Sequence, residues 1–465
     1  LVLPDGDVYI NDEAFKGSNI QKLVLSANTK LHMQGTPFID CEYFNSLEIN
    51  GTNTLYTVED NVLYSNTKDT IVLVPTNVKV NSFASTVTKI GYGAFAGNNV
   101  IESLTLPSAI TDVEDFAFAY SNIKTVDFAN CANTNFGTYV FYYAKDLNVI
   151  SNANVLNAIS DYMFTNTSIS DVKLGTNVTI GYGAFANIST LNNLTIGDNA
   201  TIGAYAFYKS FTSFGTATLG SGTIGEYAFA ETKLNSINTT NITEVGKGAF
   251  MSSAITSISF EKVENIGESA FAKCSQLKEV TLSNTMSDTL SRGMFRECNE
   301  LTTVNNMESI STIESYAFYN CYKLSTIDLS NVHHIGKYAF AYVTELEDAP
   351  SSSLVTIDLS SIATIDDYAF LGNTGLNNVL NLEKSTLEII NEGTFSQCNN
   401  LANINLVNVK VIKDMAFYLD SSLKTVDLTN VTYVGNRAFA NGGINKLDLQ
   451  NCLEVGEFAF YANPI

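Results

Sequence analysis

Five aspartates, Asp127, Asp328, Asp358, Asp427 and Asp448, hold one position of a stretch that recurs along the chain. It is clearest in Ser325-Thr-Ile-Asp-Leu-Ser-Asn-Val-His-His-Ile-Gly-Lys-Tyr-Ala-Phe340. There Ile327 and Leu329 alternate with Thr326 and Asp328, the pattern of a strand with one buried and one wet face. Stacked strands would set Asp328 beside Asp358, and Asp427 beside Asp448, roughly 4.8 Å apart. Two carboxylates at that distance repel by only ~0.9 kcal/mol in water, so a solvated acidic face is one reading. The other is a binding surface for a basic ligand. Asp328, Asp358, Asp427 and Asp448 are also candidates for a weak Ca²⁺ site, because hard cations take carboxylate oxygens.

Other chemistry-bearing residues give less. His333 and His334 sit between inward Val332 and Ile335, where other repeats carry Thr, Ser or Asn, and His32 stands alone, so the histidines read as solvated turn residues. Gly91-Tyr-Gly93 and Gly181-Tyr-Gly183 mimic part of a phosphate loop but lack its last Gly and Lys. Cys274, Cys298, Cys321 and Cys398 each fall three residues after a recurring Phe, which puts them in one column. Their spacing permits a disulfide by distance but parallel side chains do not favour its torsion, so free buried thiols are expected. Cys41, Cys131 and Cys452 read as isolated. No nucleophile is paired with a general base, and no catalytic residue or cofactor is assigned. Tyr92, Tyr182, Tyr205, Tyr227, Tyr316, Tyr338 and Tyr368 precede the Phe by two or three residues, where they shield a turn or line a rim suited to protein contacts.

The elements that position these residues repeat. The landmark Phe occurs at Phe15 and Phe44, then from Phe95 to Phe460 in steps mostly near 22 residues, such as Phe95 to Phe118 and Phe229 to Phe250. A fixed period of this length marks a solenoid. Five residues before each Phe stands an apolar residue, and the next position is often Gly, as in Gly91, Gly203 and Gly336, marking a turn that favours a permissive backbone without requiring positive φ. Ala usually precedes the Phe and leaves room for rings stacked on successive coils. Residues 47–80 break the period. Two apolar runs around Glu59-Asp-Asn61 and Ser65–Asp69 read there as hairpin strands that protrude from a rung or extend it. Residues 345–352 read as an acidic loop insertion. With no linker in view, 1–465 is read as a single array of about 19–20 rungs, curved or gently twisted, with a parallel sheet along one face.

The chain has 25 Lys and Arg against 47 Asp and Glu, a net charge of −22. That excess argues against nucleic acid and against anionic membrane surfaces as partners. No apolar run is long enough to insert directly into a membrane. Both ends fall inside a rung, as expected of an excised fragment or a processed chain.

The stretch Val263-Glu-Asn-Ile-Gly-Glu-Ser-Ala-Phe-Ala-Lys-Cys-Ser-Gln-Leu-Lys-Glu-Val-Thr-Leu282 resembles the BspA-like leucine-rich repeat family, and Asp60-Asn-Val-Leu-Tyr64 followed by Leu73-Val-Pro75 resembles a hairpin that this family carries between repeats. The likeness covers nearly the whole chain. It implies a leucine-rich-repeat right-handed coil of short parallel strands, turns and short helical segments. It also implies a secreted or cell-surface protein that adheres to a protein or glycoprotein ligand, such as host extracellular matrix or another cell. A structural spacer that displays a second domain away from the cell is the alternative.

Overall fold

The computed structural model describes residues 1–211, 215–343 and 351–465. Of the loop expected over 345–352, only Ser351 and Ser352 fall within them. The repeats build a parallel β-solenoid of about twenty turns. Contacts divide the chain into two compact units, Leu1–Leu234 and Asn235–Ile465.

Three kinds of ladder join successive turns. The first is the alternating strand: Thr125–Asp127 lies parallel between Ser103–Thr105 and Val149–Ser151. The second is a shorter strand that ends at the apolar residue five before the Phe, such as Asp112–Val113 between Lys89–Ile90 and Asn135–Phe136. The third runs through a tight turn. There the landmark N–H donates to the carbonyl just before the next landmark, from Phe118 to Val140 (2.8 Å), Phe207 to Ala228 (2.8 Å) and Phe417 to Ala438 (2.7 Å). The backbone is thus satisfied mainly by neighbouring turns, which is why a single repeat has little stability of its own.

Phe rings fill the axis. Phe185 and Phe207 stack at 5.2 Å and 1°, Phe207 and Phe229 at 5.1 Å and 4°. In the second unit Phe271 stacks on Phe250 at 5.5 Å and on Phe295 at 5.6 Å. Each such ring buries a large apolar area and adds a ring–ring contact worth about 0.5–1.5 kcal/mol.

Several expectations change. The single sheet face becomes two strand columns and a turn column. Helical content shrinks to two 3₁₀ turns among the described residues, Ala153–Val155 and Leu382–Lys384. His334 is not in a turn but in the short strand His334–Ile335, paired with Thr312 and Thr364. The Gly that follows the short strand does not adopt positive φ. Its role is close approach, since a Cβ on Gly203 would lie 2.5 Å from the Ile180 carbonyl oxygen. Positive φ falls two residues before the Phe, on Gly in some turns (Gly93, Gly183, Gly293) and in others on full side chains, among them Phe116, Tyr139, Tyr162, Tyr205 and Tyr316 (φ 55 to 62°). A left-handed residue costs about 1–2 kcal/mol, and stacking of the same rings offsets much of it.

Near the N-terminus the landmark is Phe38, not Phe44. Phe38 stacks on Phe15 at 5.3 Å and 5°, whereas Phe44 packs against it tilted by 44°. The Phe15 N–H donates to Pro37, one residue before Phe38, as the ladder requires. Cys41 therefore joins the cysteine column instead of standing alone. Within residues 47–80, Tyr56–Glu59 and Val62–Ser65 form an antiparallel hairpin that continues to Thr70–Leu73. Thr70–Leu73 then pairs parallel with Lys89–Ile90, so the hairpin extends a rung, with Val62, Leu63, Ile71 and Leu73 buried.

Candidate functional site

Each of the five aspartates closes a turn. Its Oδ1 accepts the backbone N–H two residues on: Ala129 for Asp127 (3.0 Å), Ser330 for Asp328 (2.9 Å), Ser360 for Asp358 (2.9 Å), Thr429 for Asp427 (3.0 Å) and Gln450 for Asp448 (3.2 Å). A short side-chain acceptor bonding its own chain in this way ends a strand and starts a turn. Asparagine does the same at the equivalent positions, where Asn238 accepts from Thr240 (3.1 Å) and Asn405 from Val407 (3.2 Å). The turn therefore needs the acceptor oxygen and not the charge.

At Asp127, Asp358 and Asp427 the surroundings favour the ionised form. The Asn152 amide, then the Ala129 N–H, lower the pKa of Asp127 below the ordinary value. The Thr429 hydroxyl and N–H do so for Asp427. Burial pulls Asp358 upward, but the Ser360 N–H and hydroxyl, Asn381 and Lys384 outweigh it.

The register brings only some of them together. Asp127 stands between Thr105 and Ser151, and Asp358 opposite Leu380. The bridge Thr425↔Lys446 places Asp427 and Asp448 at matching positions of successive turns. Asp328 and Asp358 belong to successive turns linked by the Ser360 hydroxyl donating to the Ser330 carbonyl (3.4 Å). No three His, Cys, Asp or Glu side chains converge in a way that could hold a metal ion among the described residues.

A second acidic row has a structural use that the sequence reading missed. Three residues before the Phe, an acceptor oxygen takes the backbone N–H at the matching place of the next turn. Asp115 accepts from Thr138 (2.6 Å), Asp161 from Tyr182 (2.7 Å) and Asp414 from Asn436 (2.8 Å). Asp or Asn at that fixed offset was the available signal. The tyrosines form their own ladders. In the first unit Phe116, Tyr139, Tyr162, Tyr182, Tyr205 and Tyr227 follow one another at 4.8 to 5.3 Å. In the second, Tyr316, Tyr338 and Tyr368 do so at 5.4 and 5.1 Å. Burial and the neighbouring Tyr182 push Tyr162 up to about 12, so its hydroxyl stays protonated.

The histidines make local contacts. His333 Nδ1 lies 2.9 Å from the Asn331 carbonyl, His334 Nδ1 2.6 Å from the Thr364 hydroxyl, and His32 Nε2 2.7 Å from Asp7. The thiols of Cys274, Cys298, Cys321 and Cys398 are free and buried, and each donates to the carbonyl of the preceding turn's Phe at 3.0 to 3.3 Å.

Turns held by backbone ladders, polar groups spent on closing the stack, and an outward row of fixed carboxylates define a repeat scaffold that presents a surface. No helix among the described residues is long and apolar enough to cross a membrane. The chain belongs to the family of the BspA type leucine-rich repeat region, whose six-copy pattern matches residues 1–88, 75–192, 200–292, 264–358 and 349–465. Solved structures similar to it include a leucine-rich repeat protein from Bacteroides ovatus, 18% identical over 83% of this chain and 90% of that one, with a TM-score of 0.33. A leucine-rich cell surface protein from Faecalibacterium prausnitzii is 18% identical over 87% and 94%, TM-score 0.33. The pneumococcal vaccine antigen PcpA is 18% identical over 77% and 82%, TM-score 0.33. No curated protein sequence matches the chain.

Proposed function

We propose that this protein is an extracellular or cell-surface interaction module, with residues 1–465 acting as one repeat array that binds a protein or glycoprotein of a host or neighbouring cell. Family membership supports a scaffold role, and the placement outside the cell rests on what that family resemblance implies. The observation that carries the binding surface is the pair of successive turns at Asp427 and Asp448, whose carboxylates are exposed and fixed by their own turn N–H groups. Carboxylates held in position before the partner arrives lose little freedom on binding, and a basic surface would meet them with faster association at low salt. Many of the lysines lie against other carboxylates, as Lys410 does against Glu388 and Lys323 against Glu300.

The test replaces Asp328, Asp358, Asp427 and Asp448 together by Asn. Asn keeps the turn, as Asn238 and Asn405 show, so the fold should survive and only charge is removed. Attachment to host cells and matrix proteins should fall, and its dependence on salt should flatten. Unchanged attachment with unchanged salt dependence would overturn the assignment of this surface and favour the spacer.

A further inference from the structure

At many turns the position three residues after the landmark Phe lies inside the stack, next to the carbonyl of the preceding turn's Phe. Where the occupant is polar, it serves at several turns as a hydrogen-bond donor to that carbonyl. Ser210 donates to the Phe185 carbonyl (2.6 Å), Cys274 to Phe250 (3.0 Å), Asn373 to Phe340 (2.6 Å), Cys398 to Phe370 (3.3 Å) and Asn463 to Phe439 (2.7 Å). A carbonyl oxygen only accepts, so a polar side chain in this column can bond it only by donating. Asp420 occupies this position after Phe417. It is 1% exposed, and neither carboxyl oxygen has a hydrogen-bond partner among the described residues. An ionised carboxylate cannot donate, and an unpaired buried one is among the costliest arrangements a core can hold.

None of the described residues packed around Asp420 supplies a compensating charge. The preceding turn offers Cys398, whose thiol is itself pushed up by burial and by the carboxyl beside it. The Cys398 N–H is spent on the Phe395 carbonyl (3.1 Å), and burial pushes Asp420 well above the ordinary carboxylate value. The following turn places Gly442 at the column position, with no side chain to offer. On its own turn, Lys424 directs its ammonium to the Ser421 carbonyl (2.8 Å).

We propose that Asp420 is held as a neutral carboxylic acid whose hydroxyl donates to the Phe395 carbonyl, and that loss of this proton loosens the step between the Phe395 and Phe417 turns. The second unit thereby contains a pH-sensitive link that is tight in acid. The sign follows from linkage. Unfolded Asp420 ionises near 3.8 and the folded group at a higher pH. The stabilisation is full below the unfolded value and is lost as pH rises through the folded one. In that window unfolding releases one proton, so its equilibrium constant rises about tenfold per pH unit.

Denaturant unfolding of the full chain across pH, for wild type and for Asp420→Asn, tests this. Asn donates as Asn373 and Asn463 do but does not titrate. The variant should be more stable at neutral pH, and its unfolding constant should lose that tenfold-per-unit rise relative to wild type. Parallel pH profiles for the two proteins would overturn the proposal. Infrared spectroscopy of the wild type at neutral pH provides a readout independent of the variant's folding. A protonated carboxylic-acid carbonyl band should be present there, and absence of such a band would sink the idea by itself.

Discussion

Turns 171–219 and turns 425–460 share two of their three ladders and differ in the third. In the first region the alternating strand is four residues long: Asp171–Leu174, Asn193–Ile196 and Thr216–Leu219 pair in continuous parallel register, with Val172, Leu194 and Ala217 buried. In the second it shrinks to the single bridge Thr425↔Lys446, and Val426 and Leu447 are only half-buried. The short strands Val411–Ile412, Tyr433–Val434 and Glu454–Val455 still pair, and the rings still stack at 5.0 Å (Phe417 with Phe439) and 5.3 Å (Phe439 with Phe460). The register of a turn is therefore set by the Phe turn and the short strand, and the alternating strand can be given up.

The two regions also differ in how the strand ends, although Asp127 and Asp358 close the same kind of turn on strands that remain paired. Where Lys173, Thr195 or Thr218 occupies the wet position, the strand runs one residue further to Gly175, Gly197 or Gly220. A Cβ on Gly197 would stand 2.7 Å from the backbone carbon of Gly175, so these glycines let the chains close up. Where Asp427 or Asp448 occupies it, the carboxylate captures the N–H two residues on and turns the chain away.

The largest effect should be the same in both regions. Phe185→Ala and Phe417→Ala each remove a fully buried ring covered by rings on both sides. Each should cost about 3–5 kcal/mol in denaturant unfolding. A much smaller loss for Phe417→Ala would mean that the aromatic column does not hold the second region, and the comparison above would fail.

What the sequence made legible was whatever repeats within one turn. The Phe period, the alternation at Ile327 and Leu329 and the cysteine column all lie at fixed offsets along the chain. What it hid depends on the neighbouring turn, about 22 residues away, where local propensity has no reach. Gly203 looks like a flexible turn residue until the Ile180 carbonyl is seen against it. Tyr139 looks unsuited to positive φ until its ring is found stacked between Phe116 and Tyr162. Phe44 displaced Phe38 as landmark because both are Phe and only stacking separates them. For the candidate site, the aspartates were visible as a column, but their turn-closing role required the position of a backbone N–H.

A smaller effect should separate charge from turn. Asp427→Ala removes the acceptor for the Thr429 N–H and hydroxyl and should cost about 1 kcal/mol, in line with one net hydrogen bond. Asp427→Asn should cost little at neutral pH. Because its hydrogen bonds hold the Asp427 carboxyl below the ordinary value, its contribution is present above that value and is lost as pH falls through the lower folded one. Wild type should thus lose stability in acid relative to Asp427→Asn, opposite in sign to the behaviour of Asp420. Equal acid sensitivity of the two proteins would show that the turn does not distinguish the charged form.

The smallest effect belongs to the ion pairs between turns. Lys124 and Glu102 meet at 2.8 Å on the first unit, and Lys410 and Glu388 at 2.5 Å on the second, with all four side chains at least half exposed. Exposed pairs gain little in high dielectric, order two long side chains and are screened by salt. The pair on the second unit spans turns that lack a continuous alternating strand, so if surface charge compensated for the missing ladder, its removal would matter more there. Glu102→Gln and Glu388→Gln should instead both leave the thermal midpoint indistinguishable from wild type at physiological salt. A fall for Glu388→Gln comparable with that of Asp427→Ala, and absent for Glu102→Gln, would show that these turns lean on charge where the strand is gone.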